Sequence, residues 1–242
     1  MSKVFGEVAD LYEDVRPGYP DVLVDAVRAW HGREPVSVVD VGAGTGKVTE
    51  HLVRRGWPVR CVEPDEQMAA VLRRRLQGVP VDVVPFERWQ PPAGGVDLVT
   101  CGLAWHWLDP STRAPRARAA LAPGGTLAVL GIRYDLADPG LAAGVEAAVR
   151  SGDAYTRPHG EHWVREDVAG SGLFRTVDEH TVDAVAEYPT DRFVQLMQTF
   201  GHFRQRPVAA QAAVLTAVRS LVDGHGGVAT LALRADVVLA RV

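Results

Sequence analysis

The stretch VVDVGAGTGKVT, residues 38–49, joins a valine-rich apolar run to three alternating glycines and then to a helical pattern. Such a run is typical of a strand buried on both faces of a parallel sheet. The glycines Gly42, Gly44 and Gly46 permit a tight turn and let backbone N–H groups approach a ligand. The stretch therefore predicts a strand, a ligand-binding loop and a helix in succession.

The spacing of these glycines separates the loop from two other glycine motifs. In the dinucleotide fingerprint G-x-G-x-x-G the third glycine comes one position later, where this chain has Lys47. A P-loop needs four residues between its glycines and a Lys-Ser or Lys-Thr pair after them. A Rossmann dehydrogenase stays as a rival interpretation, since its sheet has the same strand and helix pattern.

Strand and helix patterns alternate as far as residue 132. Strands are predicted at 35–44, 58–65, 79–86, 95–102 and 126–132, and helices at 47–56, 66–78 and 111–125. This alternation is typical of βαβ units in a parallel sheet. Beyond residue 132 the rhythm changes. Helical patterns cover 139–152, 161–172, 190–200 and 208–224, and strand patterns cover 174–185 and 228–242.

The composition is that of an ordinary globular protein of 242 residues, with 47% hydrophobic residues and a formal net charge of −4. No basic surplus indicates a nucleic-acid partner, and no apolar stretch reaches the roughly 18 residues of a membrane span. Cys61 and Cys101 lie in apolar runs, which argues against a disulfide framework. The acidic N-terminal segment is unlike a signal peptide. We expect a cytoplasmic protein with no nucleic-acid or membrane partner.

Two carboxylates lie in the predicted strands beside the loop. Asp40 is in the first strand, where a buried charge is costly unless hydrogen-bond donors surround it. Glu63 ends the second strand, about twenty residues beyond the loop, where an acidic side chain can accept two hydrogen bonds from a ribose diol. The alternative for Glu63 is a surface carboxylate that merely follows a strand.

Four segments in this order resemble the class I S-adenosylmethionine-dependent methyltransferases, and in particular their bacterial small-molecule branch. The segments are VVDVGAGTG, CVEPDEQM, VDLVTCGLAWHW and LAPGGTLAV. The resemblance covers residues 1–132 closely and the remainder loosely. It implies an α/β fold with a Rossmann-like seven-stranded sheet of order 3-2-1-4-5-7-6, strand 7 antiparallel, and helices on both faces.

The resemblance also implies S-adenosylmethionine as the cofactor. The glycine loop would pack against its methionine part, Asp40 would anchor the loop or reach the amino group, and Glu63 would hold the ribose. One departure is Pro85, where similar proteins usually have Asp or Ser, so the Phe86 amide and Glu87 are expected at the adenine. The implied cofactor-binding residues are Tyr12, Arg16, Asp40, Gly42, Ala43, Gly44, Gly46, Glu63, Pro64, Met68, Phe86, Glu87, Cys101 and Leu103.

The segment FGEVADLYEDVRPGYP spaces Phe5, Ala9 and Tyr12 on one helical face. It is either a plain amphipathic helix or, as the resemblance implies, a lid over the cofactor. The resemblance divides the single domain 1–242 into lid helices 1–30, a cofactor-binding core 35–132, a substrate-side decoration 133–205, and a last helix and closing strand 206–242.

The cluster Trp105-His106-Trp107 follows the fourth predicted strand, where active crevices of parallel sheets lie. His106 is the candidate general base, since histidine exchanges protons near neutral pH. The alternative is a histidine in the pocket wall. The candidate substrate-binding residues are Tyr19, Trp105, Trp107 and His202. His159 and His162 lack a third ligand at a recognisable spacing, so no metal site is expected.

The resemblance therefore implies an enzyme that transfers a methyl group from S-adenosylmethionine to an O, N or C nucleophile of a small molecule, leaving S-adenosylhomocysteine. We expect a monomer or a homodimer. Two alternatives stay open. One is a protein of this fold that binds the cofactor but catalyses a non-methylating step, such as a cyclase. The other is a non-catalytic binding module.

Overall fold

The computed structural model describes residues 5–150 and 160–242, with His202 described by its backbone alone. Its centre is a seven-stranded sheet of order β3-β2-β1-β4-β5-β7-β6. The strands are β1 (Val38–Val41), β2 (Val59–Val62), β3 (Val81–Asp82), β4 (Val96–Gly102), β5 (Leu121–Leu136), β6 (Thr176–Pro189) and β7 (Val228–Arg241). Strand β7 runs antiparallel to both neighbours, whereas the other pairs are parallel. The predicted strand order and the antiparallel seventh strand are confirmed.

The helices cover both faces of this sheet. They are α1 (Ala9–Val15), α2 (Asp21–His31), α3 (Lys47–Arg54), α4 (Glu66–Arg75), α5 (Arg113–Ala120), α6 (Pro139–Arg150), α7 (Trp163–Gly170), α8 (Thr190–Met197), α9 (Gly201–Arg204) and α10 (Val208–Gly224). Helices α2, α3 and α4 share one apolar cluster with the sheet, and α5 and α7 share another on the opposite face. Helices α6, α8 and α10 form a third cluster beside the ends of β5 and β7.

The segment predicted as lid helices separates into two parts with different positions. Helix α1 packs against α4 and α8. Helix α2 instead packs against the sheet, in the apolar cluster that it shares with α3 and α4. It buries Leu23, Val24 and Val27 there, because these residues recur on one helical face. The segment predicted as decoration likewise contains β6, a full strand of the sheet.

Several element boundaries differ from those predicted. The third strand comprises two residues instead of the predicted 79–86, because Pro80 and Pro85 flank it and cannot donate backbone hydrogen bonds. The helix predicted over 111–125 ends at Ala120, and Leu121 is already extended. Strand β5 continues past residue 132 because its pairing with β7 extends to Leu136. Within the described residues, no helix is long and apolar enough to cross a bilayer.

Candidate active site

The glycine loop follows β1 and turns with all three glycines at positive φ: 63° at Gly42, 57° at Gly44 and 92° at Gly46. A Cβ atom on Gly42 would lie 2.4 Å from the Cβ of Ala104, so only glycine fits there. Gly46 is the N-cap of α3 and lies against Leu72, away from the crevice. At the carboxyl end of β1 the loop therefore presents backbone atoms to the cavity at Gly42 and Gly44, where no side chain is present.

Glu63 at the end of β2 holds this loop to the next turn of the chain. Its Oε2 accepts a hydrogen bond from the Gly44 N–H at 2.8 Å, and its Oε1 accepts one from the Asp65 N–H at 2.9 Å. The residue is 5% exposed. Burial raises its pKa to about 7, against the opposing effect of the two N–H donors. Because burying a charged carboxylate is costly, further hydrogen-bond donors at its oxygens would stabilise the charged form.

Asp40 within β1 is fully buried and accepts hydrogen bonds from two hydroxyl groups. Thr49 Oγ1 of α3 donates to Oδ2 at 2.6 Å, and Thr100 Oγ1 of β4 donates to Oδ1 at 2.8 Å. Burial raises its pKa to about 6. Asp40 therefore ties the glycine-loop helix to the neighbouring strand.

A cavity of about 970 Å³, here named the glycine-loop cavity, lies at the carboxyl ends of β1, β2 and β4. It contains most of the residues predicted to bind a cofactor. These are Tyr12, Arg16, Asp40, Gly42, Ala43, Gly44, Glu63, Pro64, Met68, Glu87 and Leu103. Tyr19 and Trp107, predicted at the substrate, line the same cavity. The structure therefore brings together residues that lie far apart in the sequence.

Three predicted cofactor residues do not line the glycine-loop cavity. Gly46 supports the loop from behind, as described above. The Phe86 side chain is buried in the core, and its carbonyl accepts a hydrogen bond from Arg116 Nε at 3.0 Å. Cys101 is fully buried in the same core cluster, and burial raises the pKa of its thiol. Gly102 ends β4 and Leu103 follows it with positive φ, so the chain turns there and these two residues line the cavity, whereas Cys101 stays within the strand.

Helix α1 covers one side of this cavity. Arg16 at its end donates from Nε to Thr199 Oγ1 at 2.8 Å and from Nη2 to the Thr199 carbonyl at 3.0 Å. Its guanidinium lies 4.4 Å from the ring centroid of Phe200 and 5.0 Å from that of Tyr12. The Phe5 ring meets Trp107 edge-on at 5.6 Å. These contacts join α1 to the walls of the cavity.

A second cavity of about 1100 Å³ adjoins the first, and Leu103 and Tyr134 line both. We name it the aromatic cavity. Its walls come mainly from β5, α6, α7 and α8 and include Trp105 and His106. The cluster Trp105-His106-Trp107 is therefore divided, because its 3₁₀ turn places Trp107 at the glycine-loop cavity and the first two residues at the aromatic cavity.

The other predicted aromatic and histidine residues are placed as follows. Trp105 is buried, and its Nε1 donates to Asp167 Oδ2 at 2.8 Å. His106 is exposed, with its ring centroid 4.9 Å from that of Trp107. The His202 side chain and His159 lie outside the described residues. His162 contacts Glu179, and in the described part of the chain no three metal-binding side chains come together.

Sequence reasoning missed several residues of these cavities. Tyr134 lines both cavities, and its hydroxyl is buried without a hydrogen-bond partner among the described residues. The Thr45 hydroxyl in the glycine loop is also buried without a hydrogen-bond partner among the described residues. Lys47 lines the glycine-loop cavity and donates to the Glu13 carbonyl at 2.8 Å. The available signal for Tyr134 was an aromatic residue two positions after the predicted end of the fifth strand at residue 132.

Comparisons with known proteins agree with this geometry. Residues 39–129 match the family described as a methyltransferase domain. A methyltransferase of Mycobacterium tuberculosis without a characterised activity is 31% identical over 229 residues, which cover 95% of this chain and 89% of that protein. The chain therefore belongs to the class I S-adenosylmethionine-dependent methyltransferases and is an enzyme of that class.

The chain is also similar to two other proteins. A trans-aconitate 2-methyltransferase of Variovorax paradoxus is 37% identical over 99 residues, 40% of this chain and 38% of that protein. The solved structure of the [4+2]-cyclase SpnF superposes with a TM-score of 0.56 at 17% identity, over 96% of this chain and 94% of that one. The second similarity shows the fold alone.

Proposed function

We propose that this methyltransferase binds S-adenosylmethionine in the glycine-loop cavity and transfers its methyl group to an O, N or C nucleophile of a small molecule in the aromatic cavity. The observation that carries the proposal is that the two cavities meet at Leu103 and Tyr134, at the carboxyl ends of the parallel strands. Glu63 and the glycine loop lie on one side of this junction, and His106 lies on the other.

The residues of the glycine-loop cavity fit a nucleoside with a polar tail. Each Glu63 oxygen accepts one backbone N–H and keeps capacity to accept a ribose hydroxyl. Pro64 and Met68 give an apolar surface for a base. The Thr45 hydroxyl, buried at the same wall without a partner among the described residues, supports a polar ligand there. Arg16 is assigned to the methionine carboxylate, near its contacts with Thr199.

The bound cofactor supplies an activated methyl carbon, and the protein has to align the nucleophile with it. Helix α1 and the residues just before it exclude water from this carbon, with Tyr12 of α1 and the preceding Phe5 at the wall. His106 takes the proton that the acceptor loses, because it lines the cavity that holds the acceptor and histidine exchanges protons near neutral pH.

The test is to incubate the full chain with S-adenosylmethionine and a panel of small molecules that carry hydroxyl, amine or acidic C–H groups. We expect S-adenosylhomocysteine to be released only when a suitable acceptor is present. Tight cofactor binding without turnover across the panel would contradict methyl transfer. It would instead favour a non-methylating step, as in a cyclase.

A further inference from the structure

The walls of the aromatic cavity are built from large apolar side chains. Trp163 of α7, Phe193 and Met197 of α8, and Phe200 after α8 all line it, with Val145 of α6 opposite. Its volume, about 1100 Å³, lies just above the range of about 300–1,000 Å³ that is usual for small-molecule sites. A ligand that fills such a space gains its affinity chiefly by burying apolar and aromatic surface.

The charged side chains of this cavity are mostly carboxylates. Among the described lining residues, five are acidic and two are arginines. The acidic residues are Asp135, Glu146, Glu161, Glu179 and Asp236. Both arginines are already in ion pairs: Arg133 Nη2 lies 2.9 Å from Glu161, and Arg150 Nη2 lies 2.5 Å from Glu146. The same pairs offset Glu146 and Glu161, and Glu161 also lies 2.5 Å from Arg234 Nη1, so the excess negative charge of the wall comes from the other three carboxylates. A carboxylate-bearing ligand meets this excess and finds both arginines of the wall already paired.

The junction of the two cavities contains a strained residue. Leu103 has φ of +50° and is the one non-glycine residue with positive φ among those described. A left-handed conformation costs a residue with a branched side chain about 1–2 kcal/mol. The Leu103 N–H donates to the Leu130 carbonyl at 2.9 Å, which holds the conformation in place. Leu103 and Tyr134 are the two residues that line both cavities, so they mark the place where the cavities adjoin.

Resting on the function proposed above, we propose that the acceptor is a bulky, ring-bearing and mainly apolar molecule, neutral or cationic rather than a polycarboxylate. It occupies the aromatic cavity and presents its nucleophile toward the glycine-loop cavity at Leu103 and Tyr134, which line both cavities. This acceptor class differs from the tricarboxylate named for the Variovorax relative, which aligns with only 40% of this chain.

Three probes of equal ring size test the charge preference: 2-naphthol, 2-naphthylmethylamine and 2-naphthoate, with trans-aconitate as the polycarboxylate. Binding is measured by calorimetry on the full chain, with and without saturating S-adenosylhomocysteine. We expect the neutral and cationic probes to bind about tenfold or more tightly than 2-naphthoate, and trans-aconitate not to bind. Tightest binding by either carboxylate, or no binding by any naphthyl probe, would overturn the assignment.

A matched pair of variants on α6 locates the binding site. Ala142 lines the aromatic cavity, whereas Ala143 is exposed on the same helix. We expect Ala142→Trp to weaken binding of the neutral and cationic probes about tenfold or more, while Ala143→Trp leaves it unchanged. Undiminished binding in Ala142→Trp would refute the site. If that variant does not fold, Val149→Phe fills the same cavity and takes its place.

The cofactor titration separates the two proposals. Both α6 variants are expected to bind S-adenosylhomocysteine with the wild-type Kd, since neither residue lines the glycine-loop cavity. If the wild type binds S-adenosylhomocysteine but no naphthyl probe, the acceptor class is wrong and the proposed function stands. If the wild type does not bind S-adenosylhomocysteine, the proposed function itself is wrong.

Discussion

The Glu63 carboxylate is almost completely buried, yet both of its oxygens lie at a cavity wall and accept backbone N–H groups. We predict that Glu63→Ala raises the Kd for S-adenosylhomocysteine by roughly tenfold or more, because charge-assisted hydrogen bonds to the ribose are lost. Isothermal titration calorimetry measures this change. Glu187→Ala, on the exposed edge strand, is the control. An unchanged Kd in Glu63→Ala would remove Glu63 from the cofactor site.

His106 has two possible roles, general base or residue of the cavity wall, and the two predict different kinetics for its variant. If it accepts a proton, His106→Ala lowers kcat by about a hundredfold and leaves the Kd of the cofactor nearly unchanged. His180→Ala is the matched control, since His180 lies on the exposed edge strand β6 outside both cavities. Near-normal turnover of His106→Ala with the acceptor found by the panel would restrict His106 to the wall.

At the scale of single residues, the sequence predicted best those positions that a backbone motif fixes. The glycine loop and Glu63 have a set spacing, so their common place at one cavity could be expected. Cys101 could not be separated from its neighbours in β4, because its position depends on where the strand ends. Phe86 lies in a 3₁₀ turn, Phe86–Arg88, where the sequence pattern predicted a strand. Tyr134 was missed because the fifth strand was predicted to end two residues before it.

Helix α1 is held over the glycine-loop cavity by a partly buried ion cluster. Glu13 Oε1 lies 3.2 Å from Lys47 Nζ and 3.0 Å from an Arg75 nitrogen. Arg75 also donates to the Thr45 carbonyl of the glycine loop at 3.0 Å. The cluster therefore joins α1 to α3, α4 and the glycine loop.

We predict that Glu13→Gln destabilises the protein by about 1–3 kcal/mol, because two cations lose the carboxylate between them. Asp10→Asn on the same helix is the control, since its pair with Arg74 is exposed, and we expect less than about 0.5 kcal/mol. Urea denaturation measures both values. Equal, small effects in the two variants would show that the cluster does not hold α1.

Among the elements, the long periodic ones were predictable and the short ones were not. Helix α10 and strand β7 show sustained helical and strand patterns, and both formed as expected. Strand β3 has two residues, fewer than any pattern can define, and its length is set by flanking prolines and by pairing with β2. Helix α2 shows an apolar face, but the sequence alone did not predict that this face packs against the sheet.

For the whole molecule, raised carboxyl pKa values predict how stability depends on pH. The pKa values of Asp40 and Asp236 are about 6 and that of Glu63 is about 7, all raised by burial above their unfolded values. Between pH 5 and 7.5 the folded protein therefore binds more protons than the unfolded chain, and stability falls as pH rises. His31, whose pKa burial lowers, opposes this in part. Asp21 titrates well below this range, at about 2.

We predict that the ligand-free protein loses about 2–4 kcal/mol between pH 5 and pH 7.5, which lowers Tm by about 5–10 °C. Differential scanning calorimetry at several pH values measures the change. Glu63→Gln should flatten the profile, because the group that titrates highest is removed. A Tm that rises steadily from pH 5 to 7.5 would show that these carboxyl groups do not control stability.

Titration of the full chain with S-adenosylhomocysteine and, separately, with NAD shows whether the glycine-loop cavity is an S-adenosylmethionine site. We expect saturable one-to-one binding of S-adenosylhomocysteine and none of NAD, because Lys47 occupies the third-glycine position of the dinucleotide fingerprint. Binding of NAD without binding of S-adenosylhomocysteine would contradict it.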